Sequence, residues 1–521
     1  MANLKLSDVF YDQERQQTDV LLDILSHASH SEWGERYDFA DIHSIEDFRR
    51  NVPLTDYQDY REAIEKMKDG AQDVLFDGPT EMFLATSGST GVPKLYPESH
   101  LGGKMKNRIM ELRLFSKMSL RPGALEEAVA KGYKGLSMAN PAEYERTSAG
   151  IPVGSASGQT ISGSGRKEAL VYPVALLKAT SLDRETLEYL QAVLAAAEPK
   201  VAAIFCNNPA HIEGLLDRIN GDLDVICDDM ERGDLSVDID DELRAELLKS
   251  FKADPERAKM LREIKSSGRM VGIGNLWPGL TYLSCWTSAS VGRVLKSMHH
   301  LIPENVLCMD GGYGASEGKI NIPFEPNNPY GIPASFAIFF EFQPLDGGEP
   351  ICLHQVEEGK SYRILLTTYS GLYRYQLHDI ITVGPAWNGL PTIVFACKET
   401  DALEHDGHKL YAFELYGLVE EFEAEHGTIV RHIELCNADG RTTLVFEPGE
   451  ASVMARQFAD FMRDNLKSRY GIDLDGILQV KDGYRNSLFV RKVTEGKTVN
   501  QTKLAAFTDR MPVDDMIEAE L

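Results

Sequence analysis

The chain has 521 residues, of which 43% are hydrophobic, and its net charge is 54 − 80 = −26. This length allows about two to four domains. The excess of acidic residues, without any run of Lys or Arg, predicts binding to neither nucleic acid nor an anionic membrane. The N-terminus lacks an apolar signal core, and no stretch of about 18 apolar residues is present to span a bilayer. The seven cysteines show no CxxC spacing and indicate reduced thiols, so we expect a cytoplasmic protein.

The first 80 residues are predicted to be mostly helical. In residues 56–70 the apolar side chains of Tyr60, Ile64 and Met67 recur at helical spacing, and a glycine ends the pattern. Residues 81–85 follow as a short apolar strand, and TSGSTGVPK after them is predicted to be a loop. The Gly- and Ser-rich residues 151–166 are predicted to form a second loop.

The middle of the chain alternates between helix and strand. A helical pattern over 182–197 precedes the wholly apolar run VAAIF within 200–207, which indicates a buried, parallel strand in an α/β layer. Residues 228–265 are charged and amphipathic, and we interpret them as a surface helical hairpin broken at Pro255. From residue 305 strand-like runs dominate. After Lys398 we expect a helix at 411–426, strands at 429–447, a helix at 451–470 and a final strand.

The loop TSGSTGVPK has the composition of a phosphate-binding loop. Two glycines allow backbone N–H groups to approach an anion closely, hydroxyls add donors, and a lysine adds positive charge. It lacks the GxxxxGK[ST] spacing of a Walker loop. It resembles instead the phosphate loop of the adenylate-forming superfamily, which contains acyl-CoA ligases, luciferases and peptide-synthetase adenylation domains. The candidate ATP-binding residues here are Ser87, Gly88, Ser89, Thr90, Gly91 and Lys94.

A second segment, GGYGASEG, resembles the YGxTE motif of that superfamily. We expect Tyr313 to offer a flat face to adenine, Ser316 to offer a hydroxyl to the α-phosphate, and Glu317 to bind Mg²⁺, which prefers hard oxygen ligands. Gly314 and Ala315 complete the candidate ATP-binding segment. The alternative interpretation of Glu317 is an ordinary surface carboxylate.

A third segment, TTYSGLYRYQLHDIITV, resembles a Tyr-Arg-x-x-Asp pattern whose aspartate, here Asp379, holds both ribose hydroxyls. The longer form TTYxGLYRY, with VPLTDYQDYREAIEKMKDG upstream and FFEF between, is similar to the Gretchen-Hagen-three acyl acid amido synthetases. The resemblance covers residues from about 45 to about 505. That family has a glycine before the ribose aspartate, whereas this chain has His378, which either alters the backbone or points to solvent.

The resemblance implies an α/β fold, with a large N-terminal α/β domain (1–397) that includes a β-barrel-like part, and a smaller mobile α+β domain (398–521). It also implies an enzyme that uses ATP and Mg²⁺ to convert a small carboxylic acid to an acyl-adenylate and transfers the acyl group to an amino acid or related amine. Lys398 corresponds to the hinge between the domains. Lys503, in NQTKLAAF, corresponds to a catalytic lysine of the mobile domain that meets charge at the α-phosphate, although the flanking Tyr and Pro-Arg of the family are absent.

Two alternative functions stay open at the level of sequence. An acyl-CoA ligase would use the same adenylation motifs with a thiol as acceptor, and a non-catalytic nucleotide-binding relative would keep the fold alone. HDGH (405–408) is interpreted as a polar turn, because a metal site needs further ligands. WPGLTYLSCW (277–286) either lines an acid pocket or packs a buried strand, and it is left out of the candidate site. No GxSxG elbow supports a serine hydrolase.

Overall fold

The structure is a computed structural model and describes residues 9–86, 93–138, 142–156, 158, 169–179, 182–449, 454–494 and 503–521. None of the helices in these ranges is both long and apolar enough to cross a membrane. The helices are α1 (Gln13–Ser26), α2 (Glu32–Arg36), α3 (Ile45–Asn51), α4 (Tyr57–Lys68), α5 (His100–Ser119), α6 (Ala124–Ala130), α7 (Val174–Lys178), α8 (Arg184–Ala197), α9 (Ala210–Gly221), α10 (Leu223–Arg232), α11 (Asp241–Leu247), α12 (Pro255–Ser266), α13 (Ile273–Leu276), α14 (Ala289–Ser297), α15 (Ala412–His426), α16 (Ala455–Tyr470) and α17 (Tyr484–Thr494).

The β-strands of the same ranges form separate sheets. They are β1 (Met82–Ala85), β2 (Leu95–Glu98), β3 (Lys134–Met138), β4 (Glu145–Arg146), β5 (Pro152–Gly154), β6 (Val201–Cys206), β7 (Tyr282–Cys285), β8 (Leu307–Asp310), β9 (Asn321–Pro323), β10 (Gly331–Pro333), β11 (Ile338–Pro344), β12 (Ile351–Cys352), β13 (Ser361–Thr368), β14 (Tyr375–Trp387), β15 (Leu390–Lys398), β16 (Ala402–His405), β17 (His408–Tyr411), β18 (Val430–Ala438), β19 (Arg441–Pro448), β20 (Gly476–Val480), β21 (Phe507–Thr508) and β22 (Ile517–Glu520).

A parallel sheet in the order β3-β6-β7-β8 forms one layer of the fold. The apolar strand β6 is buried, and Ile204 shares a core with Leu190 and Val193 of α8. The helix and the buried parallel strand predicted over 182–207 are therefore confirmed. Strand β8 ends at Asp310, so the GGYGASEG segment begins at the carboxyl edge of this sheet, where open α/β sheets bind their ligands.

A second sheet, in the order β12-β11-β13-β14-β15-β10-β9, has antiparallel neighbours throughout and contains the strand-like runs expected after residue 305 other than β8. Its strands share one core with helices of the N-terminal segment, including Leu21 of α1, Phe48 of α3 and Ile64 of α4. The register of β14 and β15 makes Asp379 and Lys398 direct Cα partners. Two candidate site residues far apart in sequence thus become neighbours.

A small sheet, in the order β2-β1-β5-β4, carries the candidate phosphate loop. Strands β1 and β2 are antiparallel, with Ala85 opposite Leu95, so the two ends of the 86–94 segment lie next to each other. The interpretation of 151–166 as a loop is wrong at its start, because Pro152–Gly154 forms β5 and pairs in parallel with β1. Val153 is buried there, and this long-range pairing prevails over the local Gly and Ser composition. Residues 157 and 159–166 lie outside the described residues.

The charged segment 228–265 differs from the expected hairpin broken at Pro255. Pro255 occupies the first turn of α12, and the Asp254 side chain caps that helix by accepting the Arg257 amide. Proline suits this position because the first N–H groups of a helix have no intrahelical partner. Met230 and Leu261 are also fully buried, so α10 and α12 pack into the core and are not purely surface helices.

The C-terminal part contains the elements that were predicted for it. After the hairpin of β16 and β17, helices α15 and α16 share a core with a five-stranded sheet in the order β21-β18-β19-β20-β22, through Phe422, Phe458 and Leu444. The HDGH stretch is the turn of that hairpin, with His405 opposite His408. The chain is therefore an α/β protein with a large N-terminal α/β part and a sheet-rich C-terminal part.

Candidate active site

The base of the candidate phosphate loop is held by the backbone. The Thr86 amide donates to the Lys94 carbonyl at 2.9 Å, and the Lys94 amide donates to Thr86 Oγ1 at 3.2 Å. Residues Ser87, Gly88, Ser89, Thr90 and Gly91 lie outside the described residues, so their predicted phosphate contacts stay predictions.

Tyr57, from the segment upstream of the loop, supports the loop lysine. The Lys94 ammonium lies 5.1 Å from the centroid of the Tyr57 ring, and the Tyr57 hydroxyl accepts the Leu95 amide at 3.0 Å. Nearby, Thr55 Oγ1 donates to the Tyr373 carbonyl at 2.7 Å, and the Tyr373 amide donates to the Tyr60 hydroxyl at 2.9 Å. The VPLTDYQDY motif therefore joins the loop to the segment that leads to Asp379.

The segment 313–319 contacts the end of β1, where the candidate phosphate loop begins. Ser316 Oγ donates to the Ala85 carbonyl at 3.2 Å, while the Ser316 carbonyl accepts from Lys106 Nζ at 3.1 Å. Lys106 is ion-paired with Glu98, a buried carboxylate that also accepts from Ser370 Oγ at 2.7 Å. These contacts fix Ser316 at the end of β1, and its predicted contact with the α-phosphate stays a prediction.

Glu317 is a buried carboxylate, with 8% of its surface exposed. Burial raises its pKa, and the nearby ammonium of Lys398 opposes that rise. The Tyr96 hydroxyl hydrogen-bonds this carboxylate and lies 2.8 Å from the Tyr375 hydroxyl. The alternative interpretation of Glu317 as a surface carboxylate is not consistent with this burial.

Asp379 lies at the centre of the site and is 2% exposed. Its Oδ2 accepts the Tyr313 hydroxyl at 2.6 Å, and its Oδ1 forms an ion pair with Lys398 Nζ. Burial alone would lower the pKa of Lys398, but the carboxylates of Asp379 and Glu317 outweigh it and the pKa is raised. Tyr313 is itself buried, and its ring packs on Phe395 at 5.4 Å between centroids.

Lys503 reaches this site from the C-terminal part of the chain. Its ammonium lies 5.2 Å from the centroid of the Trp286 ring and 4.7 Å from that of Phe395. Loss of solvent lowers the pKa of Lys503, partly opposed by the negative charge of Asp379. The segment that ends at Trp286 was left out of the site predicted from sequence, yet this indole contacts a candidate catalytic group.

His378 adopts the backbone conformation that a glycine would favour. Its φ is +55°, in the left-handed region, and its exposed ring places Nδ1 3.1 Å from Glu399 Oε2. Both alternatives considered for this residue therefore hold, because the backbone is unusual and the side chain points outward. The imidazole of His378 is exposed, whereas the side chain of the next residue, Asp379, is buried.

Arg374 differs from the pattern used to recognise this segment. When the Tyr-Arg-x-x-Asp pattern is aligned so that its aspartate is Asp379, its arginine position falls on Gln376. Arg374 instead donates to both carboxylate oxygens of buried Glu341, at 2.9 and 3.2 Å, and to the Val52 carbonyl at 2.9 Å. Its role is to hold the N-terminal helices against the second sheet.

Sequence reasoning missed several residues of the site, which are Tyr57, Tyr96, Lys106, Trp286, Tyr375 and Phe395. Each of them contacts a residue from another element. Tyr57 and Tyr375 lie within motif segments quoted above and Tyr96 lies two residues after one, and that proximity was the available signal.

The donor set fits one divalent cation held together with phosphate oxygens. Within the described ranges no group of three or more His, Cys, Asp or Glu could hold a metal ion, and no lysine or arginine of those ranges forms an ion pair with Glu317. Mg²⁺ is usually bound by one or two carboxylates, water and substrate phosphates. A single buried carboxylate beside a phosphate loop matches that chemistry.

Comparison with known proteins identifies the family. Residues 4–307 match the GH3 family N-terminal domain, and residues 332–398 match the GH3 family central domain. An indole-3-acetic acid-amido synthetase of Arabidopsis thaliana is 24% identical and covers 99% of this chain and 93% of its own length. A 4-substituted benzoates-glutamate ligase of the same plant is 23% identical, over 80% of this chain and 74% of its own length.

Solved structures share the fold. The GH3.15 acyl acid amido synthetase superposes with a TM-score of 0.80 at 19% identity, covering 100% of this chain and 97% of its own. A 2-hydroxyisobutyryl-CoA ligase in its postadenylation state gives 0.58 at 12% identity, over 95% and 89% of the two chains. Because the N-terminal domain match alone spans more than half of the 521 residues, the chain belongs to the GH3 family.

Proposed function

We propose that this protein is an ATP-dependent acyl acid amido synthetase. It converts a small carboxylic acid to an acyl-adenylate, releasing pyrophosphate, and then joins the acyl group to the amine of an amino acid or a related amine. The observation that carries the proposal is the convergence of Glu317, the Asp379–Lys398 pair and Lys503 beside the base of the 86–94 loop. The naming of relatives as amido synthetases and as an acid–amino acid ligase supports it.

The first half-reaction forms the acyl-adenylate. An oxygen of the acid attacks the α-phosphorus of ATP, and the bond from that phosphorus to pyrophosphate breaks. The chain contributes positioning and charge rather than covalent chemistry. Asp379 holds the ribose hydroxyls, the loop and Lys94 hold the outer phosphates, and Lys503 meets the charge that develops at the α-phosphate. Lys94 is free of any carboxylate among the described residues, so its charge is available to phosphate.

We further propose that Glu317 binds Mg²⁺ in this step. When bound, the ion supplies charge neutralisation and orientation of the phosphate oxygens. Tyr96 orients the carboxylate, and Lys106 fixes the preceding residue through the Ser316 carbonyl. Glu317 is buried and forms no ion pair with a lysine or arginine of the described ranges, so a bound cation would add to the partial compensation that the nearby Lys398 ammonium provides.

The second half-reaction forms the amide. The amine attacks the acyl carbon, the bond from that carbon to AMP breaks, and the nitrogen loses a proton. We propose that residues 398–521 act as a mobile domain that turns about Lys398 between the two steps.

The seven cysteines are buried and unpaired, which supports a reducing, cytoplasmic location.

The test uses purified protein, ATP, Mg²⁺ and a pooled panel of small carboxylic acids, divided between mixed amino acids and CoA. We expect AMP and, with amino acids, a product with the mass of acid plus amino acid minus water. Acyl-CoA as the product would replace the proposal with an acid–thiol ligase. ATP binding without AMP from any acid would favour a non-catalytic relative.

Site variants sharpen the same assay. Lys503→Ala is expected to slow adenylation by about a hundredfold, the usual loss for one well-aimed charge-stabilising donor. Lys467→Ala is the matched control, because that lysine lies in the same part of the chain and its ammonium pairs with exposed Asp473 on the surface. Equal adenylation by the Lys503 variant and the wild type would contradict the role given to this lysine.

A further inference from the structure

The ammonium of Lys503 lies between two aromatic rings that belong to the N-terminal part of the chain, 5.2 Å from Trp286 and 4.7 Å from Phe395 between ammonium and ring centroid. We propose that Trp286, together with Phe395, is a positioning residue that holds Lys503 at the adenylation site. This inference rests on the function proposed above and adds to it the residue that receives the lysine.

The backbone segments that carry the two rings are fixed by hydrogen bonds and by strand pairing. The Trp286 amide donates to the Asn207 carbonyl at 2.8 Å. The next residue, Thr287, donates through its amide and its hydroxyl to Asp310 Oδ2, at 2.8 and 2.7 Å. Phe395 lies within β15 and packs against the Tyr313 ring. A side chain that arrives between these rings therefore finds a preformed site.

The C-terminal part of the chain contacts the same N-terminal segment at further points. In α14, directly after Trp286, Arg293 Nη2 lies 2.7 Å from Glu423 Oε1. At the end of that helix Ser297 Oγ accepts from Arg485 Nη1 at 2.6 Å. Because these contacts are independent of the indole, removing the indole is expected to release Lys503 without separating the two parts of the chain.

Aromatic rings suit this task because they attract a cation through the negative face of the ring without neutralising it. A carboxylate at the position of Trp286 would hold the ammonium more firmly but would also cancel its charge. The rings restrict where Lys503 can lie, 4.7 to 5.2 Å from their centroids, and leave its full charge for a phosphate or acyl oxygen.

A measurement without substrate tests the contact. Tryptophan emission is recorded for the wild type, Lys503→Met, Trp286→Leu and the double variant. If the ammonium lies on the indole, Lys503→Met changes the emission of the wild type but leaves the emission of the Trp286→Leu protein unchanged. The same change in both backgrounds, or none in either, would overturn the proposed contact.

Kinetics test the positioning role. We expect Trp286→Leu to slow the single-turnover release of pyrophosphate, the product of adenylation, by about tenfold, which corresponds to about 1.4 kcal/mol. Trp286→Phe retains a ring face and is expected to stay within about threefold of the wild type. Trp387→Leu is the matched control, since that indole is also half-buried but packs on Phe324.

The double variant separates positioning from a general structural defect. In the Lys503→Met background, Trp286→Leu is expected to cause no further loss, because the group that it positions is gone. A tenfold loss in that background, or wild-type rates for Trp286→Leu alone, would refute the positioning role while leaving the proposed function intact. Failure of the wild type to form AMP from any acid would instead refute the proposed function.

Discussion

Replacing His378 tests whether its backbone is strained. His378→Gly and His378→Ala both remove the imidazole and its exposed contact with Glu399, so the difference between them reports on the backbone alone. At an ordinary strand position, glycine is less stable than alanine by about 0.5–1 kcal/mol. At the observed φ of +55° a side chain costs about 1–2 kcal/mol that glycine does not. We therefore expect the glycine variant to be more stable than the alanine variant by about 1 kcal/mol.

Thermal unfolding followed by circular dichroism is sufficient to detect this difference. With an unfolding entropy of about 2.1 cal/mol/K per residue, about 1 kcal/mol shifts the midpoint of a part of roughly 400 residues by about 1 °C, so the two variants are scanned side by side. Gln376 gives a matched control, because it lies two residues earlier in β14 and its φ is not positive. At Gln376 the alanine variant is expected to melt above the glycine variant. The same order at both positions would refute the assignment of strain to His378.

Three further predictions concern buried charges and the phosphate loop. Glu341→Ala leaves buried Arg374 without its carboxylate and is expected to lower the free energy of unfolding by about 3–5 kcal/mol, whereas replacing both residues by Met should restore part of that loss in thermal unfolding. Lys117 is buried and its pKa is lowered to about 8, below the unfolded value, so the folded state releases this proton first and stability rises with pH. Relative to Lys117→Met, the wild type should gain about 1.4 kcal/mol between pH 7 and pH 9 in urea unfolding, and parallel pH dependence of the two proteins would contradict this. Tyr57→Leu removes the ring beneath Lys94 and should raise the KM for ATP about fivefold, while Tyr57→Phe should raise it less.

The sequence predicted the framework of the site because its motifs are local. The apolar run before TSGSTGVPK, the buried strand over 200–207 and the helix over 182–197 are each specified by residues close in sequence, and all three are present. The α/β fold and the family followed from the same motifs. The pairing of β5 with β1 could not be predicted in this way, because the neighbour of Val153 lies at Phe83 and only the folded chain brings them together.

The supporting residues of the site were missed for the same physical reason. Tyr96 is two residues after Lys94, but its contact with Glu317 depends on how β2 lies against the 313–319 segment. Likewise, the ion pair of Asp379 with Lys398 follows from the register of β14 and β15, which periodicity alone does not fix. Motif spacing therefore predicted candidate nucleotide contacts, whereas the residues that orient those candidates required the tertiary structure.

The three lysines of the site differ in what compensates their charge, and this difference assigns them different roles. Lys398 is paired with the buried carboxylate of Asp379, so its charge is already compensated, and the ion pair holds β15 against β14. Lys94 and Lys503 lie instead over the rings of Tyr57, Trp286 and Phe395. In a chain with a net charge of −26, a carboxylate could have occupied either position. Rings hold an ammonium in place without cancelling its charge. That positive charge attracts an incoming polyphosphate or carboxylate, which the negative charge of the protein as a whole repels.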